Sequence, residues 1–164
     1  MAQRAKKVPM AGMRSAGLSG TTLLRPEKKA QQIHVKGLSF ANVPQLMSTL
    51  SEGLSWTQFD GFRRKSGFKQ AELAEFLGIP ERTLARRRQG GTLTEPESER
   101  FARLVEIFNA CMELFGGDAE AVRAWLTAPA FGLNRARPID FARSDYGARE
   151  VRNLVGRLAD GVFS

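Results

Sequence analysis

Arg82, Arg86 and Gln89, with Glu81 and Ala85 among them, fall on one side of any helix drawn through residues 81–90. Their shared chemistry is hydrogen bonding at the edges of nucleic-acid bases. A guanidinium fork matches guanine O6 and N7, a carboxamide matches adenine, and a small alanine leaves room for a thymine methyl. Lys69 and Gln70 open the preceding helical stretch, where a phosphate backbone would pass, and Arg63, Arg64 and Lys65 offer further phosphate contacts. Phosphate contacts set register, whereas base contacts choose sequence. A plainer alternative stays open, in which Arg86 to Arg88 only cover a protein surface.

Other chemistries find little support. The chain has 164 residues, one cysteine and one histidine. Cys111 and His34 lie far apart, which argues against a zinc site or a Cys/His nucleophile pair. Cys111 sits in an apolar helical pattern and reads as a small core residue, compatible with a reducing, cytoplasmic setting. Glu95, Glu97 and Glu99 read as first-turn charges near a helix N-terminus, not as an acid/base pair. No glycine-rich phosphate loop or nucleophile elbow is present. The reading is therefore a binding protein, not an enzyme, with no catalytic residue, no metal and no cofactor. No aromatic platform of an RNA-binding module is visible. No apolar run approaches the roughly 18 residues that span a bilayer, so no membrane partner is expected.

Net charge is +8 and unevenly placed. Residues 1–36 hold eight bases and one acid, and residues 63–88 hold eight bases and three acids. Two basic blocks followed by a slightly acidic remainder imply a polyanionic partner for the first half. Residues 1–37, rich in glycine, serine and lysine and without a sustained period, are expected to be a disordered basic tail. Alternatively, the functional chain begins at Met10 or Met13. An organelle transit peptide is disfavoured by the glycines and proline that break the stretch.

The elements that must position these residues are all helical. Val43, Leu46, Met47 and Leu50 recur at helical spacing over residues 42–53. Ser55, with Gln58 three residues on, predicts a capping box for a second helix with Trp56, Phe59 and Phe62 inward, ended by Gly67. A third helix over 68–77 buries Leu73, Phe76 and Leu77, and a fourth runs from Pro80 to Gln89 before Gly90 and Gly91. The third and fourth meet the demands of a helix-turn-helix: small Ala74 where the helices cross, Gly78 to accept positive φ, and Leu73, Leu77, Ile79 and Leu84 toward a third helix. Arg87 falls where such a motif buries an apolar residue, implying a rotated helix or a guanidinium reaching the rim. Thr94 and Glu97 predict a capping box for the longest helix, with Phe101, Leu104, Val105, Phe108, Met112 and Phe115 inward. Asp118 caps a sixth helix through Leu126, Pro138 starts a short turn through Phe141, and a last helix spans 147–158. No alternating strand pattern appears, so the fold is all-α.

The segments "AWLTAP" (124–129), "RPIDF" (137–141) and "YGAREVRNLVGRLADGVFS" (146–164) resemble the C-terminal toxin-binding domain of Xre-type antitoxins, whose toxins carry a RES domain. The matching positions are Trp125, Leu126 and Pro129, then Pro138 to Phe141, then Gly147 and Val151, then Gly161 to Ser164. The family often has an Ala-Leu-Gly-Gly turn between the two prolines, where this chain has Phe131-Gly132-Leu133-Asn134. The resemblance extends over residues 53–164, because these antitoxins carry a helix-turn-helix ahead of that domain.

The resemblance implies a helix-turn-helix bundle (residues 38–92) followed by a small helical toxin-binding domain (93–164). It implies an antitoxin that neutralises a cognate RES-domain, NAD-degrading toxin by laying its C-terminal region over the active site. It further implies autoregulation by binding operator DNA as a homodimer, or a larger hetero-oligomer with toxin. The DNA-binding candidates are Lys69, Gln70, Glu81, Arg82, Arg86 and Gln89. The toxin-binding candidates are Arg135, Arg137, Tyr146, Arg149, Arg152, Arg157, Val162, Phe163 and Ser164. Val162 and Phe163 read equally as a partner contact or as the apolar contact of a helix C-cap, and the arginines equally as a solvated face. The competing function is a stand-alone helix-turn-helix regulator whose C-terminal half dimerises or binds a ligand.

Overall fold

The structure, a computed structural model, describes residues 31–161. Most of the expected basic tail, the alternative starts Met10 and Met13, and Val162 to Ser164 lie outside that span. Eight α-helices follow in order: α1 (Val43–Glu52), α2 (Trp56–Ser66), α3 (Gln70–Leu77), α4 (Glu81–Gly90), α5 (Glu95–Leu114), α6 (Ala119–Thr127), α7 (Pro138–Phe141) and α8 (Asp145–Ala159), with a 3-10 turn at Phe131–Leu133. No strand forms among the described residues. Their one ladder contact is an isolated bridge between Ser55 and Thr92.

Local signals start and stop these helices. Ser55 and Gln58 close a reciprocal capping box on α2, and the Glu97 carboxylate accepts from Thr94 N–H at 2.8 Å at the start of α5. Ser144 caps α8 by accepting from Gly147 N–H at 3.1 Å, so that helix begins two residues earlier than the apolar spacing implies.

The amphipathic helix α5 forms the spine. Phe101, Leu104, Val105, Ile107, Phe108 and Cys111 are all buried along it. It packs against α1 and α3 as well as against α6 and α8. Phe62 meets Phe101 and Phe108 edge-on with ring centroids 5.3 Å apart, and Phe68 adds a third edge contact to Phe108 at 5.9 Å. Burial pushes the Cys111 thiol up to about 12, which makes it an inert core residue.

Residues 31–37 depart from the expected tail. Ile33 and Val35 are buried, and the Asn109 side chain accepts from Ile33 N–H and donates to its carbonyl at 2.9 and 3.2 Å. Two alternate apolar residues tether this stretch to α5 despite its polar neighbours.

Gly147 fixes the approach of α7 to α8. A Cβ there would overlap the Phe141 carbonyl, a backbone atom held by buried Pro138 and Ile139. Gly147→Ala is therefore expected to cost about 2 kcal/mol, read as a lower urea midpoint at unchanged slope. A wild-type midpoint would show that α7 is free to move.

Candidate functional site

Two helices and a tight turn hold the first surface. Gly78 is left-handed (φ 70, ψ 32), and its N–H donates to Glu75 O at 3.0 Å while Ile79 N–H donates to Ala74 O at 3.1 Å. This double closure satisfies the last carbonyls of α3 and throws the chain into α4. Leu73, Ala74, Leu77 and Leu84 are buried, and Ile79 packs at their edge. The outward face of α4 then presents Glu81, Arg82, Ala85, Arg86 and Gln89, all exposed. Lys69 is exposed at the start of α3 and Gln70 is half-buried beside it.

Arg87 does not follow its neighbours outward. Its Nε and Nη2 bind the Glu97 carboxylate as a fork at 2.8 and 3.0 Å, and Glu97 is only 4% exposed. Burial raises the Glu97 carboxyl, but the bonds from Arg87 and Thr94 outweigh it, so it titrates below the ordinary 4.5. The position where a helix-turn-helix usually buries an apolar side chain is thus filled by a paired charge, and α4 needs no rotation.

The pairing pattern sorts the remaining arginines. Arg63 and Arg64 bind Asp60, Arg103 binds Asp145, Arg123 binds Glu72, and Arg152 binds Glu106. The Asp60 carboxyl is raised by burial, yet the hydrogen bond and charge of Arg63, with Arg64 and Arg88, take it below its usual 3.8. Arg137 forks onto Asp140 at 2.7 and 2.9 Å and reaches Glu75 on α3 at 3.2 Å. Asp140 chiefly, then Glu75, holds that guanidinium above its usual value. Arg137 and Arg152 thus join elements of the chain to one another.

No acidic partner is found, among the described residues, for Arg82, Arg86 and Arg88 on α4, for Arg100, which donates to the Leu77 carbonyl at 2.8 Å, or for Arg135, Arg143, Arg149 and Arg157 in the second half. Exposed arginines without an acidic partner therefore gather in two regions of the molecule.

The second surface is built from α8 and the turn ahead of α7. Val151, Leu154 and Val155 face the core, which leaves Tyr146, Arg149, Asn153, Gly156 and Arg157 on the outward stripe. The 3-10 turn packs onto α8, with Gly132 against the Leu154 side chain, one turn before Arg157. Asn134 and Arg135, the turn where the sequence departs from the family's Ala-Leu-Gly-Gly, are both left-handed (φ 52 and 63). The conformation points Arg135 back over the Phe131 ring, 5.1 Å from its centroid. Phe131 is 85% exposed, an aromatic that sequence reasoning missed as a surface feature. Its only signal was a large ring inside a proline-bounded loop. Trp125 instead packs beside Phe115, as a core-lining residue.

Comparison with known proteins follows the same two regions. The family described as the antitoxin Xre-like helix-turn-helix domain matches residues 45–106. The family described as the antitoxin Xre/MbcA/ParS C-terminal toxin-binding domain matches residues 110–161. Over 129 residues the chain is 37% identical to a protein named Antitoxin Xre from Yersinia enterocolitica serotype O:8, covering 78% of this chain and 87% of that one. Over the same length it is 33% identical to a protein of that name from Photorhabdus laumondii, with equal coverage.

Proposed function

The chain belongs to the Xre-type antitoxin family, and from that premise we propose that it holds its own operator through α4 and restrains a RES-domain, NAD-degrading toxin through its C-terminal surface. It is an antitoxin with a helix-turn-helix domain and a toxin-binding domain, and not an enzyme. The observation that carries the proposal is the sorting of arginines. Those that serve the fold bind an acid or, for Arg100, the Leu77 carbonyl, and the exposed ones without an acidic partner sit on α4 and in the second half.

In this reading Arg82, Arg86 and Gln89 meet base edges, with Glu81 oriented toward a cytosine amino group, while Lys69 and Gln70 meet phosphates. Arg135, Arg157 and Phe131 form the toxin-facing end, and Val162 to Ser164 continue from it over the toxin's cleft. Arg137 and Arg152 act indirectly, by holding α7 and α8 in place. No helix among the described residues is long and apolar enough to cross a membrane.

Operator binding is tested by titrating DNA from the chain's own promoter across a salt series. The log–log slope should be roughly −0.9 per phosphate contact. Arg86→Ala should relax base choice at one position by about 1–3 kcal/mol. A flat salt response, or an unchanged base preference, would remove α4 from the reading role. For the toxin arm, co-expression of the chain should preserve cellular NAD⁺ in cells making the cognate RES protein. Continued NAD⁺ loss alongside a stable complex would rule out active-site occlusion.

A further inference from the structure

Residues 31–37 run beside α2 as a strap fixed at both ends. The Asn109 side chain grips Ile33 at one end, and at the other Gln58 Nε2 donates to the Lys36 carbonyl. Gln58 also closes the capping box of α2, its Oε1 accepting from Ser55 N–H at 2.6 Å. One carboxamide thus starts the helix and holds the strap to it. Gly37 is left-handed (φ 84), and Leu38 N–H closes the turn onto Val35 O at 3.0 Å.

Between strap and helix lies an open groove of about 580 Å³. Small-molecule sites commonly enclose roughly 300–1,000 Å³. Val35 and Phe62, both buried, supply its apolar side. Lys36, Lys65 and the His34 imidazole stand around it with the hydroxyls of Ser55 and Thr57, and among the described residues no acid lines it. Ser55 Oγ accepts from Gln58 N–H at 3.3 Å, which leaves its own proton to donate. Gly61 lines the same groove from inside α2, and a Cβ added there would meet nothing within 4 Å. Glycine weakens a helix interior. Packing within the chain does not require it at this position, so its effect is to leave helix backbone bare on the groove.

We propose that this groove binds a small phosphate-bearing molecule of mononucleotide size. Lys36, Lys65 and the two hydroxyls hold the phosphate, and the ring body lies against Val35, Phe62 and the bare backbone at Gly61. The polar groups favour phosphate over carboxylate. Each ammonium carries three donors and no acceptor, and a phosphate meets them with more acceptor oxygens than a carboxylate has. An uncharged nucleoside would leave both lysines without a counter-charge. A DNA duplex shares the phosphate chemistry but carries it on an outer ridge, which suits an exposed side chain such as Lys69 and cannot lower a base toward Phe62. Neither α4 nor α8 lines the groove, so the site stands apart from the operator and toxin surfaces.

The test is calorimetric titration of the full chain at constant ionic strength with adenosine monophosphate, inorganic phosphate and adenosine, and with a duplex of arbitrary sequence as competitor. Adenosine monophosphate should bind saturably, and phosphate or adenosine alone about tenfold more weakly or worse. Lys36→Glu and Lys65→Glu should each weaken the nucleotide about tenfold or more by reversing a charge at its phosphate. Gly61→Leu should fill the groove and remove binding while the melting temperature stays at or above that of the wild type, which separates occlusion from misfolding. Absence of saturable nucleotide binding overturns the proposal, as does binding that all three variants leave unchanged. Equal affinity for phosphate and nucleotide overturns it by reducing the groove to a bare anion contact. Displacement of the nucleotide by the duplex, with duplex affinity lost in Lys65→Glu, overturns it by assigning these cations to the DNA backbone.

Discussion

Exchanging Arg87 for methionine is expected to cost the fold about 3 kcal/mol at neutral pH, because it leaves Glu97 ionised in a nearly closed site. The carboxylate loses a two-pronged partner and keeps only its bonds to Thr94. For a chain of this size the melting temperature should fall by roughly 10 °C. Glu97→Gln should cost less, since the Arg87 side chain is 23% exposed and its charge can turn to water. Combining Arg87→Met with Glu97→Leu should recover most of the loss, as apolar replacement of a buried pair usually does. The effect has a definite pH sign. Glu97 holds its proton more weakly folded than unfolded, so the pair's stabilisation is complete above about 4.5 and fades as pH falls through the lower folded value. The deficit of the Arg87→Met chain relative to wild type should therefore shrink on acidification. Equal unfolding midpoints at neutral pH would mean that the pair contributes nothing and that Leu84 alone anchors α4.

That pair also marks the limit of what the sequence could convey. Arg87 was legible as a misfit, and Glu97 as the third residue of a capping box. Each signal is local, whereas the bond between them joins residues ten positions apart on two different helices, and spacing says nothing about it. The same division runs through the molecule. Ser55 with Gln58, Thr94 with Glu97, and Gly78 act within one turn of chain, and each does the work its residue type implies. Arg137 and Arg152 were legible as cations, but their partners Glu75 and Glu106 lie 62 and 46 residues away. Amphipathic spacing placed a helix at α1 correctly and could not tell which body covers it, so Val43 and Met47 emerge exposed. Ile33 and Val35 were hidden because composition averages over a window, and two apolar residues do not outweigh the lysines around them. Phe131 was hidden for the converse reason: its neighbours imply a loop, and only the packing of Gly132 on Leu154 pushes the ring outward.

Gly156→Trp is expected to weaken capture of the cognate toxin by about a hundredfold, close to 3 kcal/mol, while leaving the chain folded. Gly156 lies inside α8, and a Cβ added there meets nothing within 4 Å in its own chain. A glycine inside a helix costs about 0.5–1 kcal/mol relative to alanine. Since the fold gives no return for that cost, Gly156→Ala should raise the melting temperature. In the proposed complex the missing side chain lets the toxin approach the helix backbone between Asn153 and Arg157, so an indole there would wedge the two apart. Opposite signs for stability and capture are the diagnostic, because a defect of folding would lower both. Capture is read by binding to immobilised toxin, and neutralisation by NAD⁺ retention in cells. Removing residues 162–164 separates these two readouts further: capture should persist through α8 while neutralisation is lost, if those residues block the cleft. A Gly156→Trp chain that binds toxin as tightly as wild type would place the contact away from the outward face of α8, and leave Phe131 and Arg135 as its remaining anchors.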